Sequence, residues 1–368
     1  MKILQVNYKM DIGGIESFLM NVYRNIDRSK YQFVFLTYFD KTFDFEEEIE
    51  SLGGKVVRIS NPNDISIIKH VKEIYHVIRK EKIEAVHCHT YFNAAYVVLA
   101  AFLAKVKIRV VHSHTTLALT KSSFSKKVKW GVSRMMIRLF STHRLACSQE
   151  AGKALYKNMD FKVISNGIDF SKFFYSEEKR KEGRSSLNIP ESTFVLGHVG
   201  RLDTPKNHIF LIDILEEIVK KQKDALLLLV GTGPLEKELK DIVKKKGLEK
   251  KVLFLGNRKD VGKYLCIFDL FVFPSLYEGL PVSLVEVQAN GLPALISDVI
   301  SKEIQLTACI HYFSLEKSAS IWADEILKMN VKRVDTIDAL QQSDYSIHKT
   351  VSVLTQIFEN IESVKYSK

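Results

Sequence analysis

The sequence lacks the cysteine spacing of a metal-binding or disulfide-stabilised protein. Its 368 residues include four cysteines, which are far apart and form no Cys-x-x-Cys pair: Cys88, Cys147, Cys266 and Cys309. Zinc sites and disulfide frameworks depend on paired or regularly spaced cysteines, so this pattern argues against both. We therefore expect a cytoplasmic protein.

Long apolar runs are also missing. The opening residues, MKILQVNYKMDIGG, hold one short apolar run interrupted by polar residues, which is not the apolar region of a signal peptide. No run approaches the roughly 18 apolar residues that a membrane-spanning helix needs. With only seven prolines, 46% hydrophobic and 10% aromatic residues, the composition is that of a globular protein. The length predicts two domains.

Acidic residues are absent from one long stretch of the chain. The net charge is +11, and residues 85–149 contain no Asp or Glu but ten lysines and arginines. Within this stretch, residues 124–140 mix basic and apolar residues in a helical pattern. Two interpretations follow: residues 121–144 contact an anionic membrane surface, or the helix faces the core and its basic face is solvated. No recognisable nucleic-acid-binding module accompanies the charge, which argues against nucleic acid as a partner.

Apolar strands alternate with helical patterns along the chain. The opening unit is a strand, KILQV, followed by a glycine turn and a helix, which is how a doubly wound α/β domain begins. The pattern restarts with FVLGHVGR at residues 194–201. Continuous apolar strands such as ALLLLV suit sheets that are covered on both faces. The predicted fold class is α/β, with two Rossmann-like, doubly wound parallel-sheet domains.

The restart of the pattern also places the domain boundary. We expect an N-terminal Rossmann-like domain over residues 1–168 and a C-terminal one over residues 169–345. A final helix, within residues 346–368, packs back on the N-terminal domain or on the C-terminal one. The charged segment 175–193 holds few apolar residues and is predicted to lie on the surface.

Two glutamates enclose the stretch EGLPVSLVE, residues 278–286. Pro281 suits the first position of a helix, and Gly291 suits the position after its end. Glu278 then precedes the helix and Glu286 lies just over one turn inside it, near backbone amides that can bind anionic or hydroxylated ligand groups. The alternative is that Glu278 only caps the helix and Glu286 lies on the surface.

A second motif, GRLDTPKNH, follows a predicted strand that ends at Gly200. Arg201 and Lys206 lie in one loop at the carboxyl end of this strand. Two cations at that position suit a diphosphate, since Arg can bind phosphate oxygens bidentately and Lys acts as a point charge. Ordinary surface cations are the alternative interpretation of this motif when it is taken alone.

Together these motifs resemble the retaining glycosyltransferases of family 4. In the C-terminal half the matching stretches are GRLDTPKN, VGTGP and FPSLYEGLPVSLVEVQANGLP, and in the N-terminal half they are GGIE, VHCHT, VVHSHT and VISNGID. The resemblance covers nearly the whole chain and is similar in detail to bacterial capsular and exopolysaccharide transferases. It implies the GT-B fold, in which two Rossmann-like domains face a central cleft.

The resemblance also implies roles for individual residues. Arg201 and Lys206 would neutralise the donor diphosphate, Glu278 would bind hydroxyls of the donor sugar, and Glu286 would bind the ribose. The residues expected to be catalytic are His114, Arg201, Lys206 and Glu278. Those expected to bind the nucleotide sugar are Gly13, Gly14, Asn166, Arg258, Gly279, Leu280 and Glu286. Further candidates for ligand contact are His112 and His89.

The implied reaction transfers a sugar, with retained configuration, from a nucleotide-diphosphate donor to a lipid-linked or glycan acceptor. UDP-sugars are the expected donors on family grounds, and the sugar, acceptor and linkage stay open. No cofactor and no metal are expected, since Arg201 and Lys206 supply positive charge and no Asp-x-Asp occurs. A nucleotide-sugar 2-epimerase of the same architecture is the alternative enzyme. The segment after PALIS lacks the glycine-rich loop of many relatives, so backbone contacts with the ligand are not expected to carry over there.

Overall fold

The chain forms two compact units. The computed structural model describes residues 1–115, 124–221, 224–258, 260–278 and 281–359. The first unit combines Met1–Ile168 with a C-terminal segment that begins at Asp344, and the second unit is Asp169–Ser343. Each unit contains one parallel sheet with its own core.

The first unit is built on a sheet that has seven strands in the described residues. These strands are β1 (Lys2–Val6), β2 (Gln32–Thr37), β3 (Lys55–Arg58), β4 (Ala85–Cys88), β5 (Ile108–Ser113), β6 (His143–Ala146) and β7 (Lys162–Val163). Their order is β3-β2-β1-β4-β5-β6-β7, and all pairs are parallel. The order reverses between β1 and β4, which is the doubly wound arrangement.

Helices cover both faces of this sheet. They are α1 (Gly14–Asn25), α2 (Glu46–Ser51), α3 (Ile67–Glu81), α4 (Ala94–Leu103), α5 (Phe124–Phe140) and α6 (Gln149–Tyr156). Successive strand residues point to opposite faces, so Leu4 packs in one apolar cluster with residues of α3 and α4. Its neighbour Ile3 packs in a second cluster, with residues of α1. This two-sided burial explains why the strands are apolar throughout.

The second unit repeats the plan with six strands in the described residues. They are β8 (Phe194–Val199), β9 (Ala225–Val230), β10 (Val252–Gly256), β11 (Leu270–Phe273), β12 (Ala294–Ser297) and β13 (Ile310–Phe313). The order is β10-β9-β8-β11-β12-β13, again with all pairs parallel. Its helices are α7 (Glu177–Ser186), α8 (His208–Lys221), α9 (Glu236–Lys245), α10 (Val261–Ile267), α11 (Val282–Ala289), α12 (Ala319–Lys328) and α13 (Ile337–Gln341). The predicted fold class, two doubly wound parallel-sheet units, is confirmed.

The last helix, α14 (Ile347–Phe358), returns to the first unit. Leu354 and Phe358 are buried in the apolar cluster that also contains Phe18 of α1. The chain enters this helix through a parallel bridge between Ile168 and Ser346. The C-terminal segment is therefore held by both backbone pairing and apolar burial.

The charged segment 175–193 is more than a surface segment, because it contains α7 and a buried arginine. Ser176 caps α7 by accepting a hydrogen bond from the Lys179 amide. The Arg184 side chain is 1% exposed and lies 2.7 Å from Asp269 Oδ2. Composition alone had indicated a solvated segment; the ion pair with a distant carboxylate allows the arginine to be buried.

Helix α5 meets the core with one face. Trp130 stacks on Phe92 with 5.1 Å between ring centroids, and Ser133 and Ile137 are buried. The core-facing interpretation is thus confirmed for this face of the helix. Residues 121–123, where the predicted membrane-contacting segment begins, lie outside the described residues. Among those that are described, no helix has the length and apolar character needed to cross a bilayer.

Candidate functional site

In the second unit, two of the predicted site residues form an ion pair at the carboxyl end of the sheet. The Lys206 ammonium nitrogen lies 2.6 Å from Glu278 Oε1, and the two side chains are only 16% and 12% exposed. Lys206 also lies over the Phe273 ring, 4.7 Å from its centroid. Glu278 therefore binds a cation and does not act as a helix cap. The pair joins the loops after β8 and β11, between which the strand order reverses, and ligands of doubly wound sheets bind at such points.

Hydrogen bonds hold these two loops together. The Leu276 amide donates to the Pro205 carbonyl at 2.8 Å, and the Asn207 side-chain amide donates to the Pro274 carbonyl at 3.1 Å. Asn207 has a φ of 56°, a left-handed conformation that asparagine tolerates better than most residues. Main-chain geometry thus fixes both ends of the ion pair.

Two glycines after β9 let a third loop pack against the loop after β8. A Cβ atom on Gly231 would lie 2.0 Å from the Gly200 carbonyl oxygen, and one on Gly233 would lie 2.2 Å from the Leu202 carbonyl oxygen. Gly231 also has a φ of 134°, which side-chained residues rarely adopt. Close packing of two backbone segments therefore accounts for both glycines of the VGTGP motif.

Two arginines near this loop system remain able to turn towards a ligand. The Arg201 side chain is 71% exposed, and its Nε lies 3.9 Å from Asp203 Oδ2. Arg258 is exposed on the loop after β10, with its guanidinium 5.7 Å from the centroid of the Tyr264 ring. Exposed contacts of this kind are weak, so an anionic ligand can replace them at small cost.

Glu286 lies in α11 and is half-buried among apolar residues. Its neighbours Leu284, Val285 and Val287 are all buried. Burial raises the pKa of the Glu286 carboxyl to about 7, because the charged form loses water. No hydrogen bond or ion pair from a described residue offsets this effect. Glu286 is therefore not a solvated surface residue, and its oxygens can accept hydrogen bonds from ligand hydroxyls.

Helix α11 begins and ends close to the predicted positions. Pro281, the predicted first helical residue, is instead the N-cap with φ −73° and ψ 105°, and the helix begins one position later at Val282. Gly291 has a φ of 66° and follows the C-cap residue Asn290, as the sequence predicts. Gly279 and Leu280, which were predicted to line the donor sugar, lie outside the described residues.

Two buried histidines next to the ion pair were not assigned a role from the sequence. The His198 ring stacks on Phe271 and Phe273, with centroid distances of 5.8 and 5.3 Å, and its Nδ1–H donates to the Val272 carbonyl. His208 contacts this ring edge-on at 4.7 Å. Burial lowers the pKa of both rings, that of His208 to about 4. Both are therefore neutral at pH 7, and they flank the GRLDTPKN motif that could have pointed to them.

In the first unit, four histidines meet at the ends of β4 and β5. His87 Nε2 lies 3.2 Å from His112 Nδ1, and His89 Nδ1 lies 2.9 Å from His114 Nε2. His89 Nε2–H donates to the side-chain oxygen of Gln5, on the adjacent strand β1, at 3.1 Å. In a neutral His89 ring, Nδ1 must then accept a hydrogen bond from His114 Nε2–H. These four residues, the histidine cluster, include the predicted site residue His114 and both lesser candidates.

Burial keeps the histidine cluster neutral. It lowers the pKa of His87 and His114 to about 3 and that of the other two well below the ordinary value. Ring nitrogens of His87, His112 and His114 are buried without a partner among the described residues. The nitrogens of His87, His89 and His112 lie within 4.8 Å of one another and could hold a metal ion, although hydrogen bonds between neutral rings already account for their separations.

The glycine turn at the start of α1 also carries a polar group that the sequence analysis did not single out. Gly13 is the extended N-cap of α1, and a Cβ atom there would lie 2.4 Å from Glu16 Oε2. A Cβ atom on Gly14 would meet nothing within 4 Å. Glu16 is buried, accepts a hydrogen bond from the Asn7 side chain at 3.0 Å, and has its pKa raised by burial. The buried carboxyl therefore accounts for Gly13 but not for Gly14.

Asn166 belongs to the first unit, in the loop after β7. Its side-chain oxygen is buried without a partner among the described residues, and Asn166 is close enough to His114 to raise the pKa of that ring against the larger effect of burial. The two side chains thus present unused polar atoms near each other. A ligand with hydroxyl groups could bind both.

Taken together, the second unit holds groups that match the parts of a nucleotide sugar. Arg201 is an exposed cation with one weak contact to Asp203, and Lys206 is paired with Glu278. Cations of these types bind diphosphates. Glu278 and Glu286 are carboxylates that accept hydrogen bonds from hydroxyl groups. Cations and carboxylates in one unit therefore suit a ligand that carries both an anionic part and a hydroxylated part.

Comparison with protein families and solved structures agrees with this chemistry. The model "Glycosyltransferase Family 4" matches residues 12–172, and the model "Glycosyl transferases group 1" matches residues 179–304. The solved structure of Anabaena Alr3699/HepE in complex with UDP and glucose superposes with a TM-score of 0.72 and 22% identity, over 98% of each chain. This similarity supports the GT-B fold.

Two of the relatives are more than 30% identical over at least 64% of both chains. UDP-Gal:alpha-D-GlcNAc-diphosphoundecaprenol alpha-1,3-galactosyltransferase of Escherichia coli is 31% identical over 64% of each chain. EpsF of Bacillus subtilis (strain 168), a provisionally assigned glycosyltransferase, is 34% identical over 99% of this chain and 97% of its own. Because this identity extends over almost the whole of both chains and both family models agree, the protein belongs to glycosyltransferase family 4 and is a glycosyltransferase of the GT-B fold.

Proposed function

We propose that the protein transfers a sugar from a UDP-sugar to a lipid-linked or glycan acceptor, with retained configuration, in the synthesis of a capsule or exopolysaccharide. The observation that carries this proposal is the Lys206–Glu278 ion pair at the end of the sheet, with Arg201 exposed in the same loop. A UDP donor is supported by the UDP bound to HepE and by the UDP-Gal in the name of the Escherichia coli relative. That same name, through diphosphoundecaprenol, supports a lipid-linked acceptor.

The two cations bind the donor diphosphate. Arg201 turns from solvent to make charge-assisted hydrogen bonds to phosphate oxygens. Lys206 is held in place by Glu278 and by the ring of Phe273, so it is already oriented before the donor arrives. As the bond to the sugar breaks, negative charge grows on the leaving UDP, and fixed cations stabilise that charge without further reorganisation.

The two carboxylates bind the hydroxylated parts of the donor. Glu286 has no partner among the described residues, and two ribose hydroxyls would supply hydrogen bonds that favour its charged form. Glu278 keeps its contact with Lys206 and accepts a hydrogen bond from the sugar. Arg258, exposed after β10, contacts the base.

Retention proceeds in this proposal without a carboxylate nucleophile. Glycosidases that retain configuration through a covalent intermediate need a nucleophilic carboxylate and an acid placed close together. Glu278 instead pairs one carboxylate oxygen with Lys206, and Glu286 has a pKa raised to about 7 by burial. We propose that the acceptor attacks on the face from which UDP leaves, with a diphosphate oxygen taking the acceptor proton. The positive charge of Arg201 and Lys206 makes a metal ion unnecessary.

The histidine cluster contributes neutral hydrogen-bonding groups. His114 Nδ1 and Asn166 Oδ1 are buried without partners, and we propose that His114 contacts the donor sugar or the acceptor. His89 holds His114 in position through the 2.9 Å hydrogen bond between their rings. Gln5 in turn fixes the orientation of His89.

Attachment to the inner face of the cell membrane forms the last part of the proposal. A lipid-linked acceptor lies in that membrane, and the acid-free stretch 85–149 carries ten basic residues that attract anionic lipids. Sedimentation with vesicles tests the attachment. Equal recovery on neutral and anionic vesicles would contradict it.

The transfer itself is tested with purified protein, a panel of UDP-sugars and a short-chain polyprenyl-diphosphate sugar as acceptor. Mass spectrometry should find one glycosylated product, and NMR should assign it the anomeric configuration of the donor. Lys206→Met should reduce kcat roughly 100-fold, as does loss of one transition-state donor in other enzymes. An inverted product would refute retention. An epimerised UDP-sugar formed without acceptor would indicate the 2-epimerase instead.

A further inference from the structure

The outer face of α5 carries an uncovered apolar stripe. Four apolar side chains recur at spacings of four, three and four residues, so they share one side of the helix. Each is between 47% and 64% exposed. The stripe consists of Val128, Val132, Met135 and Leu139. A contiguous apolar surface of this kind on a soluble domain marks an interaction site.

Apolar side chains of α4 enlarge this surface. Phe102 and Leu103, at the end of α4, are 48% and 53% exposed. The Phe102 ring lies 5.1 Å from that of Phe140, which is the last residue of α5. The exposed surface thus reaches from one helix to the next.

A basic edge runs along the same helix. Arg134 and Arg138 are one turn apart, beside the stripe. The Arg134 guanidinium is occupied, since it donates to the carbonyls of Ala154 and Leu155. Arg138 is exposed and forms no hydrogen bond or ion pair with any described residue. A free cation therefore lies directly next to exposed apolar side chains.

A pocket at this edge collects further cations. Its wall includes Met135 of the stripe together with Arg138, Arg144 and Lys157. Lys157 is exposed and, in the described residues, unpaired. Asp160 is the acidic residue of the wall, so positive charge dominates. Arg and Lys side chains placed in this way bind phosphate oxygens.

We infer that this surface binds an anionic phospholipid of the bilayer, with the headgroup phosphate at Arg138 and Lys157 and with the α5 stripe among the acyl chains. The pairing of an apolar stripe with a basic edge is typical of helices that lie in a membrane interface. A second copy of the chain is a poor occupant, because a two-fold contact through α5 would bring like charges together. The inference rests on the proposed membrane attachment and assigns it to named residues.

The test measures binding of the full chain to phosphatidylcholine vesicles with and without phosphatidylglycerol. Each cation near an anionic surface contributes about 1 kcal/mol, so R138Q/K157Q should bind the anionic vesicles roughly 30-fold more weakly. The matched control is K72Q/K80Q, which removes the same charge from exposed positions on α3. It should stay within about 3-fold of the wild type, because distant charges are screened. Equal loss in both double variants would overturn the headgroup site.

A second pair of variants tests the stripe. M135Q/L139Q should lower vesicle binding about 10-fold or more, since less apolar area enters the bilayer. The control, I67Q/I68Q, changes two exposed apolar residues of α3 and should leave binding unchanged. All substitutions are at exposed positions, so melting temperatures should match the wild type. Unchanged binding of M135Q/L139Q would overturn insertion of the stripe.

The outcomes separate this inference from the proposal beneath it. If the wild type does not bind anionic vesicles, the proposed membrane attachment is wrong. If it binds them but neither R138Q/K157Q nor M135Q/L139Q differs from its control, only the assignment to this surface fails. Concentration-dependent dimerisation that M135Q/L139Q abolishes would show that a second copy of the chain binds this surface instead of the bilayer. Full competition by excess inorganic phosphate would show that the site binds a soluble anion instead. Sugar transfer to a soluble short-chain acceptor should be equal in all variants.

Discussion

Changing Glu286 to glutamine should alter how the stability of the protein depends on pH. Burial raises the pKa of this carboxyl from 4.5 to about 7, and one pKa unit corresponds to about 1.4 kcal/mol. The full shift would amount to about 3 kcal/mol, and we take about 2 kcal/mol because the side chain is only half-buried. Between pH 4.5 and pH 7 the folded state binds more protons than the unfolded state, so stability falls as the pH rises through this window. Glutamine does not titrate, so Glu286→Gln should not lose stability as the pH rises through this window.

Thermal unfolding at pH 5 and pH 8 measures the effect. For a unit of this size, about 2 kcal/mol corresponds to roughly 4–8 °C. The difference in melting temperature between Glu286→Gln and the wild type should therefore be larger at pH 8 than at pH 5 by that amount. The exposed Glu249 offers a matched control, since Glu249→Gln should follow the wild type throughout. If Glu286→Gln also follows the wild type, the carboxyl is not held in its protonated form by burial.

Binding of UDP extends the same reasoning to the ligand. If ribose hydroxyls donate to the Glu286 carboxylate, they favour its charged form, and UDP binding near pH 7 should release a proton. Calorimetry in two buffers with different ionisation enthalpies detects this release. The wild type should show it, and Glu286→Gln should not. Buffer-independent heats in the wild type would rule out the proposed contact.

Three further outcomes follow from the structure. Gly231→Ala should cost about 3 kcal/mol in urea unfolding, because its Cβ would lie 2.0 Å from the Gly200 oxygen at a φ of 134°. Gly247→Ala, with a φ of 69° and open space around it, should cost only about 1 kcal/mol, and equal costs would refute the packing argument. Arg184→Met should destabilise the second unit by about 2–3 kcal/mol, since the carbonyls of Pro190 and Thr193 lose their charged donor. Asp269 keeps its ion pair with Arg180, and a loss no larger than for an exposed arginine would contradict this prediction. Activity should survive EDTA in full, and a loss that Mg²⁺ restores would show that a metal ion takes part.

The sequence predicts the architecture well because both sheets follow from the local order of apolar and polar residues. Short apolar strands such as β1 and β9 alternate with helices, and this alternation is enough to predict two parallel sheets. For the charged segment, the sequence predicts a surface location but not the buried arginine. Its helix α7 depends on Arg184, and the partner of that arginine, Asp269, lies 85 positions along the chain. Composition within a segment carries no information about a partner so distant.

In the candidate site too, the residues in local motifs were predicted and those that depend on distant strands were not. Lys206 and Glu278 belong to motifs that family resemblance makes visible, although their 2.6 Å contact depends on β8 and β11 being neighbours in the sheet. His198 and Gln5 were missed, because each becomes part of a site only through the order of the strands around it. For His198, the signal in the sequence was its place two residues before Gly200.

The central claim is that Arg201 and Lys206 recognise a nucleotide diphosphate. Titration of UDP and of uridine into the wild type and into Arg201→Ala tests it most directly, since the exposed arginine can be removed without affecting folding. A hydrogen bond to a charged group contributes about 1.5–3 kcal/mol. The account predicts that Arg201→Ala binds UDP roughly 10- to 100-fold more weakly and binds uridine as the wild type does. Equal affinities of the two proteins for UDP, or an equal loss for UDP and uridine, would contradict it.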